Sequence, residues 1–554
     1  MRCVFLTAIL GLGLALAARG AIRTVCPDGS GNYLTVQAAI NASANGDVIE
    51  LCDASYAGDG NRDIDCLGKA ITVRSHSGNP QACVIDCGGA PHRGFHFHAG
   101  EGSASVLDGV TIRNGACPPE GSGIRCDGAS PTINNCILEG NFCLGGYGAG
   151  LFCRNSAPTL TDCTFLGNGD GRDVAGGGVA CVAGSSPALV GCTFEANRAQ
   201  SGGGGLFCAD HSSPTLTDCT FSGNTVAPYT GCLGGGLFCW NYASPVLVDC
   251  VFSDNSAGSG GGVAGYDHCD PSMTDCLFSG NTSGGGGGAY FWYLCVPRLD
   301  GCTFAGNSAN LGSAYGGGIF CNASSPILTN CTFAGNAAAV DGGGIHLYQS
   351  SPTLDRTIVA FSTSGSSIYC YDGGSTPTLT CCDVYGNAGG DWVGCIAGQS
   401  GTDGNISLDP RFCDAANGDF RLENNSPCAP FSPPNPQCDL IGAWPVGCGG
   451  AGVAEAPLTH PLPGLEVAPN PFTPSTLIRC VVPGIAPQAP VSLDILDASG
   501  RLVRRLVVAE QPAGSREVEW DGRDRTGEPA AAGIYFAQVN LGRDRVSKRL
   551  ILVR

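Results

Sequence analysis

Two columns of residues in this chain could do chemistry. Trp240, Tyr266, Trp292, Tyr348 and Tyr371 recur at equivalent places in successive segments, with Asn322 the one interruption. Two residues earlier in their segments stand Phe152, Phe207, Phe238, Tyr290, Phe320 and Tyr369, and Asp210, His211, Tyr242, Asp267, His268 and Tyr293 lie close by. Only 7% of the chain is aromatic, so this is a concentration. Flat rings edged with acids and imidazoles suit sugar faces, and contiguous exposed apolar surface marks an interaction site. The competing reading is that the rings stack on one another or lie under a loop or the C-terminal domain. The second column is Asn135, Asp162, Asp218, Asp249, Asp275 and Asn330. If Asp218, Asp249 and Asp275 stack on neighbouring strands about 4.8 Å apart, each adjacent pair repels by roughly 0.8 kcal/mol in water. Calcium would relieve that repulsion, because oxygen ligands suit it. Asn and Asp also cap backbone N–H groups at bends, which needs no ion. His92, His96 and His98 have strand spacing for a zinc site or belong to an ordinary coil. The acidic turn from Asn168 to Asp173 lacks the closing Glu of a calcium loop and reads as a plain turn.

The elements that would position these columns repeat. Ten segments aligned on Pro-Thr-Leu-Thr-Asp-Cys run between residues 122 and 387, in steps of 25 to 31 residues. Short β-type runs separated by Gly, Asn and Ser-Pro at this period are a solenoid signature, and no helical periodicity accompanies them. An aliphatic residue (Leu206, Leu237, Val263) precedes the first Cys slot by two places, so strand alternation turns both inward. Leu216, Cys219 and Phe221 form the inward set of the next strands, with a bend near Asp218. Nine of the ten segments carry Asn five residues beyond the second Cys slot, from Asn141 to Asn387. Asn tolerates the left-handed region and bonds within its own turn, so a stacked Asn ladder at a tight bend is expected.

Sixteen of the 34 cysteines fall in the two slots. Parallel Cβ vectors on neighbouring strands suit a disulfide poorly, so most of these read as small buried apolar side chains. Off-ladder cysteines, such as Cys52 with Cys66 or Cys428 with Cys438, are the better disulfide candidates. No cysteine spacing matches a zinc site.

On these repeats, residues 24–447 resemble the right-handed parallel β-helix, or pectin-lyase-like, superfamily. The GG-[LIV]…C-T-F-x-G-N pattern is similar to the repeats of polymorphic outer-membrane proteins. The opening VCPDGSGNYLTVQAAINASANGDVIELCDASYAGDG resembles pectinesterase-type β-helices, which implies a capping helix within 33–47 with Val36, Ala39 and Ile40 on one face. The resemblance speaks for fold and little for function. No Asp-Asp pair with a nearby Gly-His-Gly is present, as polygalacturonases would require. The Arg-based signature of pectate lyases is also missing, and the pectinesterase likeness stops before that family's catalytic motifs.

Residues 449–465 read as a Pro/Gly linker. Beyond it the charge changes: residues 466–554 hold 12 Lys/Arg and 10 Asp/Glu, residues 1–456 only 16 against 37. Six alternating apolar runs after residue 475 suffice for a small antiparallel sandwich. VAPNPFTPSTLI, LDILDASGRLVRRL and VEWDGRDRTGEPAAAGIYF resemble the Ig-like domain of flagellar hook-capping proteins and, equally, type IX secretion sorting domains. The expected fold class is therefore all-β, a right-handed parallel β-helix followed by a small Ig-like sandwich. Residue 466 onward reads as a contact for secretion machinery or as a passive sandwich.

Residues 1–18 carry Arg2, an apolar run and a small-residue cleavage site, the pattern of a secretory signal. No later run is long enough to span a bilayer. A formal charge of −19 is the wrong sign for a nucleic-acid surface, and 14% charged residues with 87 glycines speaks against a helix-rich enzyme. The expectation is a secreted or cell-surface bacterial protein, non-catalytic, binding polysaccharide or a surface partner. The binding residues would be Phe207, Phe238, Trp240, Tyr242, Tyr266, His268, Tyr290, Trp292, Tyr293, Tyr348 and Tyr371. A lyase or hydrolase on the same helix and a structural spacer are the alternatives. No cofactor is expected, and calcium on the Asp column is the one metal considered.

Overall fold

Strands of three or four residues cannot stand alone, so each repeat must borrow its partners from the next. The coil that starts at Leu206 contributes Leu206–Ala209, Thr215–Thr217 and Thr220–Ser222. Equivalent strands pair in parallel from coil to coil and build three sheets of 14, 13 and 12 strands. This computed structural model describes residues 20–448 except 90, 117–119, 144, 170–174, 230 and 313. In the C-terminal part it describes 464–468, 475–482, 490–497, 502–510, 514–525, 529–530, 533–541 and 544–552. The signal at 1–18, most of the linker and the centre of the acidic turn at 168–173 lie outside the described residues. Contacts divide the chain into two units, Met1–Gly449 and Gly450–Arg554.

The corner between the second and third strands is a single left-handed residue. Asn135, Asp162, Gly191, Asp218, Asp249, Asp275, Gly301 and Asn330 fill it in turn, with φ between 47° and 65°. These are the residue types that tolerate that conformation, so the Asp column is first a column of corners. The next corner leads into the Asn ladder, which is fully buried in the repeats. Asn255 Nδ2 donates to Asn281 Oδ1 at 3.0 Å and to the Phe221 carbonyl at 2.9 Å. Its own Oδ1 accepts from the backbone and side-chain nitrogens of Asn224. The glycine run that follows exists because backbone meets backbone there. A Cβ on Gly204 would lie 2.6 Å from the Gly235 carbonyl oxygen and 2.9 Å from the Thr225 nitrogen.

Inside, the third-strand phenylalanines form one stack from Phe165 to Phe333, with centroids 4.3–5.0 Å apart. Each fully buried ring contributes about 1.5–3 kcal/mol. The first Cys slot is in register as Cys126, Cys153, Cys181, Cys208 and Cys239. Fifteen of the sixteen ladder cysteines are buried free thiols. Burial pushes the Cys382 thiol up to about 12, so it stays protonated at neutral pH and is no nucleophile.

Cys370 is the exception and bonds to Cys395. Among the described residues the other disulfides are Cys26–Cys52, Cys381–Cys438 and Cys413–Cys448. This corrects two expected pairs: Cys66 and Cys428 are free and buried. Cys26–Cys52 and Cys370–Cys395 join positions 26 and 25 residues apart, which is one coil, so they tie neighbouring coils.

Both ends of the solenoid are covered. The helix Val36–Ala42, capped by Thr35 Oγ1, lays Val36, Ala39 and Ile40 on the first coil. At the other end the turn Gly394–Gln399 buries Ile396. Residues 440–444 then return along the outside of the 13-stranded sheet. Asn330 Nδ2 donates to the Leu440 carbonyl at 2.8 Å, and Trp444 Nε1 donates to Thr303 Oγ1 at 2.7 Å.

The C-terminal unit is separate in construction. Two antiparallel sheets of three and four strands enclose Ile478, Leu493, Ile495, Trp520, Ala537 and Leu550. Its first strand is Gly464–Ala468, which begins inside the stretch read as linker.

Candidate functional site

The rings singled out in the sequence all belong to the outward face or the edge of the 12-stranded sheet. Trp240 pairs with Tyr266 and Tyr266 with Trp292 on three adjacent strands. Trp240 and Trp292 are 40% and 37% exposed, and Tyr266 is half-buried between them. The chain then leaves the sheet through a turn with two consecutive left-handed residues. These are Asp210-His211, Asn241-Tyr242, Asp267-His268 and Tyr293-Leu294, all with φ between 50° and 67°. Ladder bonds hold them, including Tyr242 N–H to the Asp267 carbonyl and His268 N–H to the Tyr293 carbonyl, each at 3.0 Å. His211, Tyr242 and His268 stack, with centroids 5.2 and 4.7 Å apart, so their edges face outward. Tyr293 stands nearly perpendicular to His268, and Trp292 is tilted 59° from Tyr266. Acids line this corner: Asp267 Oδ1 lies 2.8 Å from His268 Nδ1, and Asp210 Oδ1 accepts from Asn241 Nδ2 at 2.7 Å.

Three of the expected binding residues point outward from this sheet but are covered. Phe207, Phe238 and Tyr290 are buried, with Phe152, Ala180 and Ala264 in the same layer. The loops entering each strand fold back over that column. Tyr147, Ala175, Gly202, Leu233 and Ser259 bridge to one another coil by coil, and Gly202 lies so close to Phe238 that a Cβ on it would meet the ring at 2.3 Å. Burial pushes the Tyr290 phenol up to about 12. Tyr348 and Tyr371 form a second group beyond Asn322, with rings 5.7 Å apart and Tyr371 60% exposed. Under them His346 is buried among Tyr315, Phe320 and Tyr369, and burial pulls its imidazole down to about 4, so it stays neutral.

Asp218, Asp249 and Asp275 are exposed at their corners. Although the residue as a whole is exposed, partial burial of its carboxyl between neighbouring coils, helped by the Asp249 charge, pushes the Asp218 carboxyl up to about 6. Among the described residues no group of three or more His, Cys, Asp or Glu is gathered to hold a metal ion. His92 bonds to Asp63, whereas His96 and His98 face Asp127 and Asp65.

A polar network on the first coils of the same sheet face was not anticipated. His96 and His98 rings lie 4.2 Å apart, His96 Nε2 is 3.4 Å from Asp127 Oδ2 and His98 Nε2 is 3.3 Å from Asp65 Oδ2. Arg125 binds Asp127 and Glu120, and Arg154 reaches Glu120 at 2.8 Å. Both guanidinium groups lie over the Phe152 ring. Arg125 and Asp127 do alternate with inward Ile124 and Cys126, but Asp65 and His96 precede the first aligned repeat, which hid the column.

Residues 32–194, 180–310 and 236–406 match the family model described as the right-handed β-helix region. The chain belongs to the right-handed β-helix family. Residues 483–544 of this β-helix protein match the FlgD Ig-like domain. Carrot pectin methylesterase is similar at 11% identity, over 72% of this chain and 93% of that one, with a TM-score of 0.23. Dimeric latent PorU from Porphyromonas gingivalis is 27% identical over 16% of this chain and 9% of that chain, with a TM-score of 0.14. The β-helix protein therefore spans only a small part of PorU. No curated protein matches the chain. Chemically, the β-helix offers an exposed ring surface with hydrogen-bonding edges and, on its first coils, a network of mutually neutralised charges.

Proposed function

We propose that this β-helix is an exported, non-catalytic protein that binds polysaccharide through the corner built from Trp240, Tyr242, Tyr266, His268, Trp292 and Tyr293. The observation that carries this reading is where the rings stand. A side chain at left-handed φ costs about 1–2 kcal/mol relative to glycine, and bulky residues rarely accept it. Tyr242 and Tyr293 have φ of 61° in a chain that uses glycine freely elsewhere. Tyr242 and Tyr293 touch only neighbouring corner rings and remain 46% and 49% exposed, so much of each ring is left for a ligand, and binding gives a reason to keep them there. The apolar export signal at 1–18 and the four disulfides support secretion. In this reading the C-terminal Ig-like unit directs sorting or surface attachment.

The test is retention of the full chain on immobilised polysaccharides, with released reducing ends scored in parallel, with and without calcium. Retention without release is expected, falling at least tenfold in Trp240→Ala plus Trp292→Ala. Retention that survives the double substitution would remove this corner as the site. Tyr242→Gly should leave stability within about 1 kcal/mol of wild type in urea unfolding, the relieved left-handed strain offsetting the lost stacking on His211 and His268, while weakening retention. A loss well beyond about 1 kcal/mol would mean that the ring is structural.

The His96–Asp127 pair favours a second reading, a carbohydrate-active enzyme. Burial lowers the His96 imidazole below its ordinary value, and a neutral imidazole beside a carboxylate can move a proton. Release of ends that disappears in His96→Ala would select that reading over the first.

A further inference from the structure

We propose that the ring corner takes an uncharged polysaccharide, laid along the solenoid axis; this rests on the binding role proposed above. The first support is charge. Between Arg198 and Arg298 the sequence contains no Lys, Arg or Glu but seven Asp, and these residues form the coils that carry the rings. Asp210 and Asp267 stand at the corner itself. Polyanion recognition relies on forked guanidinium groups or ammonium groups, and none is present in this stretch. A carboxylate on the ligand at contact distance would instead meet like charge, worth about 1 kcal/mol per close pair in water and more where water is excluded. Sugar hydroxyls meet the opposite situation. They donate to Asp210 and Asp267, and they exchange hydrogen bonds with the Tyr242 hydroxyl and the outward edges of His211 and His268.

The second support is direction. Trp240, Tyr266 and Trp292 are in register on adjacent strands, and Tyr242 and His268 follow the same line one turn further along the chain. Neighbouring coils are about 4.8 Å apart, so the corner presents a ring on each of three successive coils at that spacing, with Asp210 and Asp267 on alternate coils beside them. A polymer lying parallel to the axis meets these rings one after another. A polymer crossing the axis leaves the ring line after one coil.

Retention of the full chain would be compared on glucomannan, xyloglucan and amylose as uncharged probes and on polygalacturonate as the acidic one, at low and high salt. At least one uncharged polymer should be retained with little salt dependence, and polygalacturonate at least tenfold more weakly at low salt. Equal or tighter retention of polygalacturonate would overturn the charge assignment while leaving polysaccharide binding intact. Retention of none of the four would remove the binding role itself. For the retained polymer, oligosaccharides of increasing length test direction. Affinity should rise until the oligomer spans the coils from Trp240 to Trp292, and should fall in Trp240→Ala and in Trp292→Ala for long oligomers. For the shortest oligomers, a single Trp substitution should matter less. A length-independent affinity would overturn the axial path.

Discussion

Replacing Asn255 by alanine is expected to destabilise the β-helix by roughly 3–5 kcal/mol, the range in which a buried hydrogen-bond network fails. Asn255 sits in the middle of the ladder with no exposure. Its amide donates to Asn281 and to the Phe221 carbonyl, and its oxygen receives both nitrogens of Asn224. Alanine would leave the Asn224 N–H groups, the Asn281 oxygen and the Phe221 carbonyl short of partners in a dehydrated corner. Each unsatisfied buried group costs about 1–3 kcal/mol, and the ladder is continuous, so the damage spreads to adjacent coils. Asn255→Asp should be at least as harmful, because it turns the donor facing Asn281 Oδ1 into a second acceptor. Urea unfolding followed by circular dichroism reads the effect. A loss under 1 kcal/mol would mean that water can enter the corner and replace the ladder.

The second large effect is a pH dependence centred on Asp383. This residue is fully buried in the last coils, where its carboxylate accepts from the Leu408 N–H and the Cys428 thiol, both at 3.1 Å. Burial outweighs those two bonds and pushes the carboxyl up from 3.8 to about 7. A raised folded-state value means that the folded chain holds a proton the unfolded chain has released between pH 4 and 7. Stability is therefore fullest below pH 4 for this group and declines as pH rises to about 7. The shift of roughly three units corresponds to about 4 kcal/mol. Asp383→Asn keeps an acceptor for Leu408 without the charge. The variant should gain on the wild type from pH 4 to about pH 7 in thermal melts and hold a constant advantage above that. Parallel curves for the two proteins would show that Asp383 does not titrate in that window.

Much of this was readable in the one-dimensional pattern because a solenoid makes the inside of the molecule a local property. Leu237 and Cys239 alternate on one short strand, so their inward direction follows from two-residue periodicity alone. The Asn ladder was legible for the same reason: Asn141 to Asn387 recur at a fixed distance from the second Cys slot, and equivalent positions must stack. Phe207, Phe238 and Tyr290 defeated the same logic. They do point away from the core, but exposure depends on whether another segment lies over them, and the covering loops around Gly202 and Leu233 vary in length and carry no periodic signal. The disulfides were misread for a related reason. Cys52 and Cys66 are close in sequence, yet the strand between them carries them apart, while Cys26 returns beside Cys52 after one full coil.

The sequence by itself determined the architecture: the period, the inward columns, the left-handed corner at Asp218 and the second, sandwich-like unit. Each of these is set by interactions within a repeat or between identical neighbouring repeats. Only the tertiary structure decided which rings face water, which cysteines pair, and that Asp65, His96, Asp127 and Arg154 meet on one face. Those outcomes depend on loop paths and on side chains from different coils, whose distance in space no spacing along the chain encodes.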